Sequence, residues 1–411
     1  MRHVSLSTVV AALESGKRPK GGVTSDSGTI PSLGGEHLNR DGGFRLDSLK
    51  YIDELFFASL RKGAIKKNDI LIVKDGATTG KVSYVGSDFP FEMAAINEHL
   101  FALTVNTAVA EPRYVFAFLR SPQGQMEILK DFRGAAIGGI SRGFIELAKI
   151  PLPELNDQIR IAHLLGKVES LIAQRKQHLQ QLDDLLKSVF LNMFGDAITS
   201  GSNTTLGEYI TTLSDYHANG SYETLKAHVE LLTKPNYALM VRTTDLENKN
   251  FSSECNYIAK EAYEFLEKSK VYGDEIIVNK IGSAGKVYLM PNLGRPVSLG
   301  MNAFLLRFDE RLNKIFAYYF LTSDVGKQRI QKLVKGAVTK TITKDAIRSI
   351  AISVIPTDRQ NKFAVVVEAV QGVKTLMQKS QIDLTSLYGV LSQQAFNGEL
   401  DLSRVPHSAN S

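Results

Sequence analysis

The chain has 411 residues, of which 43% are hydrophobic and 22% are charged, and its mean hydropathy is −0.09. These values exclude a disordered or fibrous chain, and the length predicts two or three globular domains. No apolar run approaches the roughly 20 residues of a membrane-spanning helix, and the N-terminal residues are too polar for a signal peptide. We therefore predict a cytoplasmic protein. The single cysteine, Cys255, excludes a disulfide framework and a cysteine-based zinc site.

The charge balance is mildly basic. Lys and Arg number 49 and Asp and Glu number 43, which gives a net charge of +6 and a pI of about 9.1. Such an excess is compatible with a polyanionic partner, but spread over the whole chain it does not establish one. The positions of the charges therefore carry more information than their total.

The chain repeats one plan twice. The segment 69–74 (DILIVK) is echoed by 274–279 (DEIIVN), and 80–82 (GKV) is echoed by 285–287, in both cases 205 positions later. Further matches lie 202 positions apart, and a loop deletion of three residues explains the change of offset. These later matches pair Phe118 with Phe320, Gly134 with Gly336, Gln158 with Gln360, and Phe194 with Phe396. Their constant order indicates a real internal repeat.

Each copy begins with short β-branched and aromatic runs broken by glycine and proline, which predict strands and loops. These mixed regions cover 4–153 and 204–356, and each precedes one long segment of helical periodicity, about 157–194 and about 359–396. The small, polar stretch 195–204 (GDAITSGSNT) predicts a linker between the copies. The residues from 398 onward predict a frayed tail.

The long segments carry an alternating four-and-three spacing of apolar residues, which is typical of a coiled coil. A buried helix of a globular domain is the alternative, and it would show a wider apolar face. Each helix, about 37 residues long, would extend roughly 55 Å and needs a partner for its apolar stripe. We predict that the two helices pair antiparallel and hold the mixed domains apart, with Arg175 and Lys374 fixing the register. The predicted seam residues are Ile161, Leu165, Val168, Ile172, Leu179, Leu182, Leu186, Val189, Phe363, Val367, Val370, Leu384 and Leu391.

No catalytic motif stands out. The segment 76–81 (GATTGK) has three residues between its glycines and Val82 after its lysine, whereas a phosphate-binding loop needs four residues and a Ser or Thr. No nuclease, glycine-rich cofactor or amino-methyltransferase motif is present, and the eight histidines are too scattered for a metal cluster. Cys255 has no neighbouring base in the sequence. The sequence therefore predicts no active site, no metal and no cofactor on this chain.

Basic residues cluster in loops at equivalent places of both copies. Glycines allow backbone amides to approach phosphates, hydroxyl groups add hydrogen bonds, and Lys and Arg release counterions. A solvated loop would explain any one cluster, but their recurrence favours DNA binding. We predict that these flexible cations mainly contact phosphates, with a bidentate arginine on a guanine as the exception to allow for, and Arg142 and Arg242 are the candidates for that exception. The candidate DNA-binding residues are Lys17, Arg18, Lys20, Thr78, Thr79, Lys81, Arg133, Arg142, Arg242, Lys280, Lys286, Lys335, Thr339, Lys340 and Lys344.

These features resemble the specificity subunit of type I restriction–modification enzymes. Residues 150–162 (IPLPELNDQIRIA) are similar to the proline, leucine, glutamine and isoleucine pattern at the start of that family's helix. The second copy keeps Pro356 and Gln360 but has Phe363 in place of the aliphatic residue. The order of recognition domain, helix, recognition domain, helix extends the resemblance over nearly the whole chain, and 16–19 (GKRP) also resembles the family.

The resemblance implies an α+β fold, with two pseudo-repeated mixed target-recognition domains separated by two long helices that form an antiparallel coiled coil. The implied boundaries are 1–153 for the first recognition domain, 154–196 for the first helical spacer, 197–356 for the second domain, 357–400 for the second spacer and 401–411 for the tail.

The implied function is non-catalytic reading of a bipartite DNA target with an unread spacer. Two methyltransferase subunits would bind S-adenosylmethionine and methylate adenine, and restriction subunits would use ATP and Mg²⁺. The chain itself would bind no cofactor. Two alternatives remain: a coiled-coil scaffold without sequence-specific binding, and a stand-alone nuclease with a divergent motif. The sequence does not reveal the target sequence, the spacer length or which residues read bases.

Overall fold

The chain forms two compact units in a computed structural model, which describes residues 1–19, 22, 28–134, 138–201, 204–273 and 275–405. The first unit consists of residues 1–176 with 378–411, and the second unit consists of residues 177–377. Each unit therefore contains one of the predicted mixed regions together with parts of both long helices.

The first unit contains nine strands and four short helices within its described residues, followed by the first long helix. The strands are β1 (His3–Ser5), β2 (Val10–Ser15), β3 (Ile30–Leu33), β4 (Lys50–Ile52), β5 (Ile70–Val73), β6 (Val82–Tyr84), β7 (Ala95–Ile96), β8 (Leu100–Val105) and β9 (Lys149–Pro151). The helices are α1 (Glu54–Ser59), α2 (Pro112–Arg120), α3 (Pro122–Leu129), α4 (Phe144–Leu147) and α5 (Leu155–Thr199), of which α5 continues into the second unit.

The second unit repeats this order with additional elements. Its strands are β10 (Thr204–Thr205), β11 (Ile210–Asp215), β12 (Ala238–Val241), β13 (Asn256–Ile258), β14 (Lys270–Val271), β15 (Ile276–Asn279), β16 (Val287–Leu289), β17 (Val297–Leu299), β18 (Ala303–Phe308) and β19 (Ala351–Ile352). Its helices are α6 (Tyr222–His228), α7 (Thr243–Asn248), α8 (Lys260–Phe265), α9 (Lys314–Thr322), α10 (Asp324–Gln331), α11 (Lys344–Arg348) and the start of α12 (Thr357–Asn397).

The same sheet lies at the centre of each unit. Four antiparallel strands follow the order β2-β8-β5-β6 in the first unit and β11-β18-β15-β16 in the second. A second sheet contains one parallel pair, β3 with β7 in the first unit and β12 with β17 in the second. The central strands are buried on both faces, as the apolar runs ILIV and IIVN require. The predicted repeat is therefore a repeat of topology.

The two long helices pair antiparallel, which confirms the predicted fold class. In the first unit, Arg175 of α5 donates from Nε to Ser380 Oγ of α12 at 3.2 Å. In the second unit, Lys374 of α12 is 7% exposed and forms an ion pair with Asp183 of α5. Every predicted seam residue is buried or half-buried. Arg175 and Lys374, the two polar residues of the seam, thus each contact a polar residue of the facing helix.

The predicted linker is wrong in its first half. Residues 195–199 extend helix α5, and Ile198 is fully buried in the core of the second unit. Phe190, Phe194 and Ile198 are spaced by four, so one face of α5 remains apolar beyond the predicted end of the helix. The small residues of this stretch are therefore helical rather than linker residues.

The aromatic ends of the helices complete the two cores. Phe396 of α12 packs edge-on against Tyr114 and Phe118 in the first unit. Phe194 of α5 packs edge-on against Phe316 and Phe363 in the second unit. Each mixed domain thus shares one core with the end of one long helix and the start of the other. No helix within the described residues is long and apolar enough to cross a membrane.

The repeated glutamine anchors the start of each long helix. Gln158 accepts a hydrogen bond from the Glu111 amide at 3.0 Å and donates to the carbonyls of Val109 at 3.3 Å and Pro153 at 2.9 Å. Gln360 forms the equivalent bonds to Asn313 at 2.8 Å, Arg311 at 3.1 Å and Ile355 at 2.7 Å. Both side chains are buried, so each satisfies backbone groups that water cannot reach.

Candidate nucleic-acid interface

The glycine turn and the basic loop of each unit lie against each other. In the first unit, the Gly76 amide donates to the Gly138 carbonyl at 3.1 Å and the Ile140 amide donates to the Lys74 carbonyl at 2.7 Å. In the second unit, Gly282 donates to Lys340 at 2.9 Å and Ile342 donates to Lys280 at 3.1 Å. Segments about 60 residues apart in sequence, predicted separately as candidate DNA contacts, thus form one tip in each unit. We name these the first tip (residues 74–81, 133–134 and 138–142) and the second tip (280–286 and 335–344).

Several candidates of the first unit are exposed. Lys17, Thr78 and Arg142 are exposed and have no ion-pair partner among the described residues, whereas Lys20 lies outside them. Arg18 pairs with Glu98 at 3.0 Å. The hydroxyl of Thr79 donates to the Gly76 carbonyl at 2.7 Å, which stabilises the glycine turn itself.

Arg133 belongs to a network around Asp131. The Asp131 side chain is fully buried and accepts hydrogen bonds from the Ser141 hydroxyl at 2.6 Å, the Ser141 amide at 2.7 Å and Arg133 at 2.8 Å. The hydrogen bond from the Ser141 hydroxyl is the largest cause of a lowered pKa at Asp131. Because Arg133 keeps 77% of its side chain exposed, it can still meet an anion from outside.

Most candidates of the second unit are held by carboxylates. Lys280 and Lys344 pair with Asp215 at 3.0 and 2.8 Å, and Lys286 pairs with Glu247. Arg242 pairs with Asp245 at 2.6 Å and donates to the Glu254 carbonyl. Lys335, Thr339 and Lys340 are exposed, and the two lysines have no ion-pair partner among the described residues. The free positive charge of the second tip therefore lies in its basic loop.

Asp215 was missed by the sequence reasoning. It is 4% exposed, and burial alone would raise its pKa. Hydrogen bonds from Lys344 and Lys280 outweigh the burial, so its pKa is lowered and the carboxylate stays charged. Its two partners lie 65 and 129 positions away, so no local pattern could have revealed the cluster.

A second feature missed by the sequence reasoning is a basic cluster around Lys81. Burial lowers the pKa of Lys81, and the positive charges of Arg40 and Arg45 lower it further. Arg45 pairs with the exposed Asp47 at 3.3 Å, and Arg40 is exposed without an ion-pair partner among the described residues. The segment RDGGFR at 40–45 was a possible signal, but the second copy has no counterpart, so a search based on the repeat passed over it. Cations gathered in this way favour a polyanion.

A cleft of about 230 Å³ opens in the second unit at the carboxyl ends of the parallel strands β12 and β17. Polar side chains line one side of it, and Tyr216, Met240 and Met301 contribute apolar surface. Amides and hydroxyls can donate to and accept from base edges. The polar lining residues are Arg242, Thr243, Thr244, Asn256 and Asn302.

Chemistry other than binding has little support in the described residues. No group of three metal-ligating side chains occurs among them. Cys255 is buried, and burial raises the pKa of its thiol, followed by the charge of Asp245. A protonated, buried thiol is a poor nucleophile.

Comparison with known proteins identifies one family. The model of the family described as Type I restriction modification DNA specificity domain matches residues 3–184 and 230–385. The MjaVIII specificity subunit of a type I restriction enzyme from Methanocaldococcus jannaschii is 21% identical over 388 residues, which covers 89% of this chain and 85% of the relative.

Two solved structures share the fold. A type I restriction–modification S subunit from M. genitalium is 16% identical, with 96% of each chain covered and a TM-score of 0.55. A chain from a structural study of assembly and conformational transition in a type I system is 15% identical, with 97% of this chain and 98% of that chain covered and a TM-score of 0.54.

Proposed function

The chain belongs to the type I restriction–modification DNA specificity family, and we propose that it selects DNA by reading a bipartite target, one half with each recognition domain. A specificity subunit is non-catalytic on its own. The observation that supports a bipartite target is the repeat of one sheet and one basic tip in two separate units. Two equivalent readers on one chain imply two half-sites with unread base pairs between them.

The proposed recognition domains span 1–153 and 197–356, the helical spacers span 154–196 and 357–400, and the tail spans 401–411. The phosphate contacts that we propose are the exposed cations of the two tips, since flexible Lys and Arg side chains suit phosphates. The polar cleft beside β12 and β17 is our candidate for base readout in the second domain, because base readout requires donors and acceptors of fixed orientation.

The proposed partners are double-stranded DNA, two methyltransferase subunits that bind S-adenosylmethionine, and restriction subunits that use ATP and Mg²⁺. An adenine must leave the base stack to be methylated, so a methyltransferase subunit supplies the pocket for it. This chain binds no cofactor in the proposed assembly, and we place the complex in the cytoplasm, where its DNA is found.

A domain exchange tests the bipartite target. Residues 1–153 are replaced by the corresponding domain of another specificity subunit, and the methylated adenines of the host genome are sequenced. We expect one half of the methylated sequence to change and the other half to stay. A change of both halves, or methylation that does not depend on this chain, would contradict the proposal.

The exposed lysines of the second tip provide a separate test. Lys335→Ala with Lys340→Ala should weaken binding of cognate and random duplexes about equally and lower the salt slope by about 0.9 for each phosphate that is no longer bound. Fluorescence anisotropy of the assembled methyltransferase complex at several salt concentrations measures both quantities. The matched control is Lys260→Ala, which removes a lysine paired with Glu264 on α8. An unchanged slope in the double variant would show that this loop does not face DNA.

A further inference from the structure

We propose that the first unit holds a DNA backbone phosphate at a site formed by Ser15, Lys74 and Arg142, and that Asp215 closes the corresponding site of the second unit. The inference rests on the proposed function, which supplies the DNA. It assigns different electrostatic roles to the two recognition domains.

The hydrogen-bond register establishes which residues correspond. Ser15 lies opposite Phe101 in the pair β2–β8, and Asp215 lies opposite Phe304 in the pair β11–β18. Phe101 also lies opposite Ile72 of β5, and Phe304 lies opposite Val278 of β15. Ser15 and Asp215 therefore occupy the same place in the repeated sheet.

The two cations correspond by the same argument. Lys74 and Lys280 each follow the matched residues of β5 and β15 by two positions, so the strand register corrects the alignment of 69–74 with 274–279 by one residue. Their carbonyls accept the amides of Ile140 and Ile342, which places Arg142 and Lys344 two positions further along equivalent backbone. The amino groups of Lys74 and Lys280 also lie over the equivalent rings of Phe101 and Phe304, at 5.8 and 5.3 Å.

In the second unit the site contains its own anion. The carboxylate of Asp215 accepts from Lys280 on one oxygen and from Lys344 on the other. Both ammonium groups lie within 6 Å of the Phe304 ring centre. This arrangement shows that cations at these two positions converge on one oxyanion.

In the first unit the anion is missing and the cations remain. Ser15 and Lys74 are half-buried, and Arg142 is exposed. Neither cation has an ion-pair partner among the residues that the structure describes. The acids beside this place have other partners: Asp75 bonds His99 at 2.6 Å, and Glu98 pairs with Arg18 at 3.0 Å.

The chemistry of the open site suits a phosphate. A phosphodiester carries one negative charge on two free oxygens, as the Asp215 carboxylate does. An arginine can bind two oxygens through its planar fork, the lysine adds a point charge, and a serine hydroxyl donates one further hydrogen bond. Serine hydroxyls and the backbone amides of glycine-rich segments commonly contact DNA phosphates.

The test changes the charge at residues 15 and 215 in the full chain assembled with the methyltransferase subunits. Ser15→Asp places a carboxylate in the open site, and Ser15→Asn has the same size without the charge. Binding of a random-sequence duplex is measured by anisotropy at several salt concentrations. We expect Ser15→Asp to lower the magnitude of the salt slope by about 0.9, the value for one phosphate, and Ser15→Asn to leave it unchanged. Asp215→Asn should raise the magnitude by about the same amount.

A fourth variant keeps the test decisive if a carboxylate at residue 15 impairs folding. Lys74→Ala with Arg142→Ala should lower the magnitude of the salt slope by about the same amount as Ser15→Asp. Adding Ser15→Asp to this pair should have no further effect. Equal slopes for Ser15→Asp and Ser15→Asn, or an unchanged slope after removal of both cations, would overturn the inference. Absence of target-dependent binding by the wild-type complex would instead contradict the proposed function.

Discussion

The positions of Gln158 and Gln360 require an amide side chain. Each glutamine bonds one backbone amide and two backbone carbonyls at the junction of a recognition domain and a long helix. Only an uncharged amide side chain offers an acceptor and two donors at once. The match found in the sequence between these two glutamines therefore has a structural cause, and it does not require contact with DNA.

Replacing Gln158 by leucine should destabilise the first unit. The side chain is 1% exposed, so the substitution leaves an amide and two carbonyls without partners, at a cost of about 1–3 kcal/mol. Urea unfolding followed by circular dichroism measures the free energy of unfolding. Gln174→Leu, at an exposed position of the same helix, is the control. Equal losses for the two variants would contradict the anchoring role.

Asp215 should make the stability of the second unit depend on pH. Burial raises its pKa, but the hydrogen bonds from Lys344 and Lys280 outweigh burial, so the folded-state pKa lies below the unfolded value of about 3.9. A carboxyl group whose pKa is lower in the folded state stabilises the fold at pH values above its unfolded-state pKa. This stabilisation is lost as the pH falls through the folded-state pKa. Asp215→Asn should therefore lower the unfolding free energy at neutral pH.

The difference between wild type and Asp215→Asn should shrink as the pH falls from about 4, where the carboxyl group becomes protonated in the unfolded state, through the lower pKa of the folded state. Urea titrations over this pH range measure it. Removal of the exposed carboxylate of Asp88 by Asp88→Asn provides the comparison. A difference that stays constant with pH would show that the charge of Asp215 does not contribute to stability.

At the residue scale, the sequence identified the cations but not what they contact. The sequence predicts Lys280 and Lys344 as DNA ligands, because lysines on loops are usually solvated. Whether a lysine faces solvent or a carboxylate depends on residues that only the tertiary fold brings near, as with Asp215. Lys335 and Lys340 are exposed and have no carboxylate partner among the described residues. For these two lysines the loop pattern was sufficient to predict exposure.

At the scale of elements, periodic patterns predicted more than local composition. The heptads of α5 and α12 predicted both helices and their antiparallel pairing, because a long apolar stripe requires a facing stripe. The parallel pairs β3–β7 and β12–β17 were not predicted, since strands of two to four residues have too few positions for a period. The helical state of 195–199 was missed because small residues resemble a linker when the core that buries Ile198 is unknown.

Two glycines of α12 offer a stabilising change. A Cβ built at Gly372 or Gly389 meets no atom within 4 Å, and both residues are exposed within the helix. Alanine is favoured over glycine inside a helix by about 0.8–1.0 kcal/mol, so Gly372→Ala and Gly389→Ala should each raise the unfolding free energy by about that amount.

Thermal and urea unfolding measure this gain. Gly124→Ala in α3 is the contrasting variant, because its Cβ would lie 1.9 Å from the Phe118 carbonyl oxygen. It should destabilise the first unit although it makes the same chemical change. Destabilisation by the two α12 variants would show that these glycines are needed for a bend or contact in the helix.

At the scale of the whole molecule, each unit contains one recognition domain and parts of both helices. Arg175 meets Ser380 in the first unit, and Asp183 meets Lys374 in the second. The boundary between the units thus passes through both helices between these two pairs of residues. We therefore expect that changes of helix length at this boundary alter the connection between the domains and leave the core of each unit intact.

Inserting four residues into α5 after Lys176, and four into α12 after Met377, should therefore change the length of the unread spacer in the target. Each inserted helical residue adds 1.5 Å, so the helices lengthen by about 6 Å, and a four-residue insertion also shifts the heptad phase. At about 3.4 Å per base pair, the methylated target should keep both half-sites and gain one or two base pairs between them. Sequencing of methylated adenines measures the spacer, and substitution of the same flanking residues without insertion is the control. A complex that still methylates the original spacing would contradict the view that these helices set the distance between the half-sites.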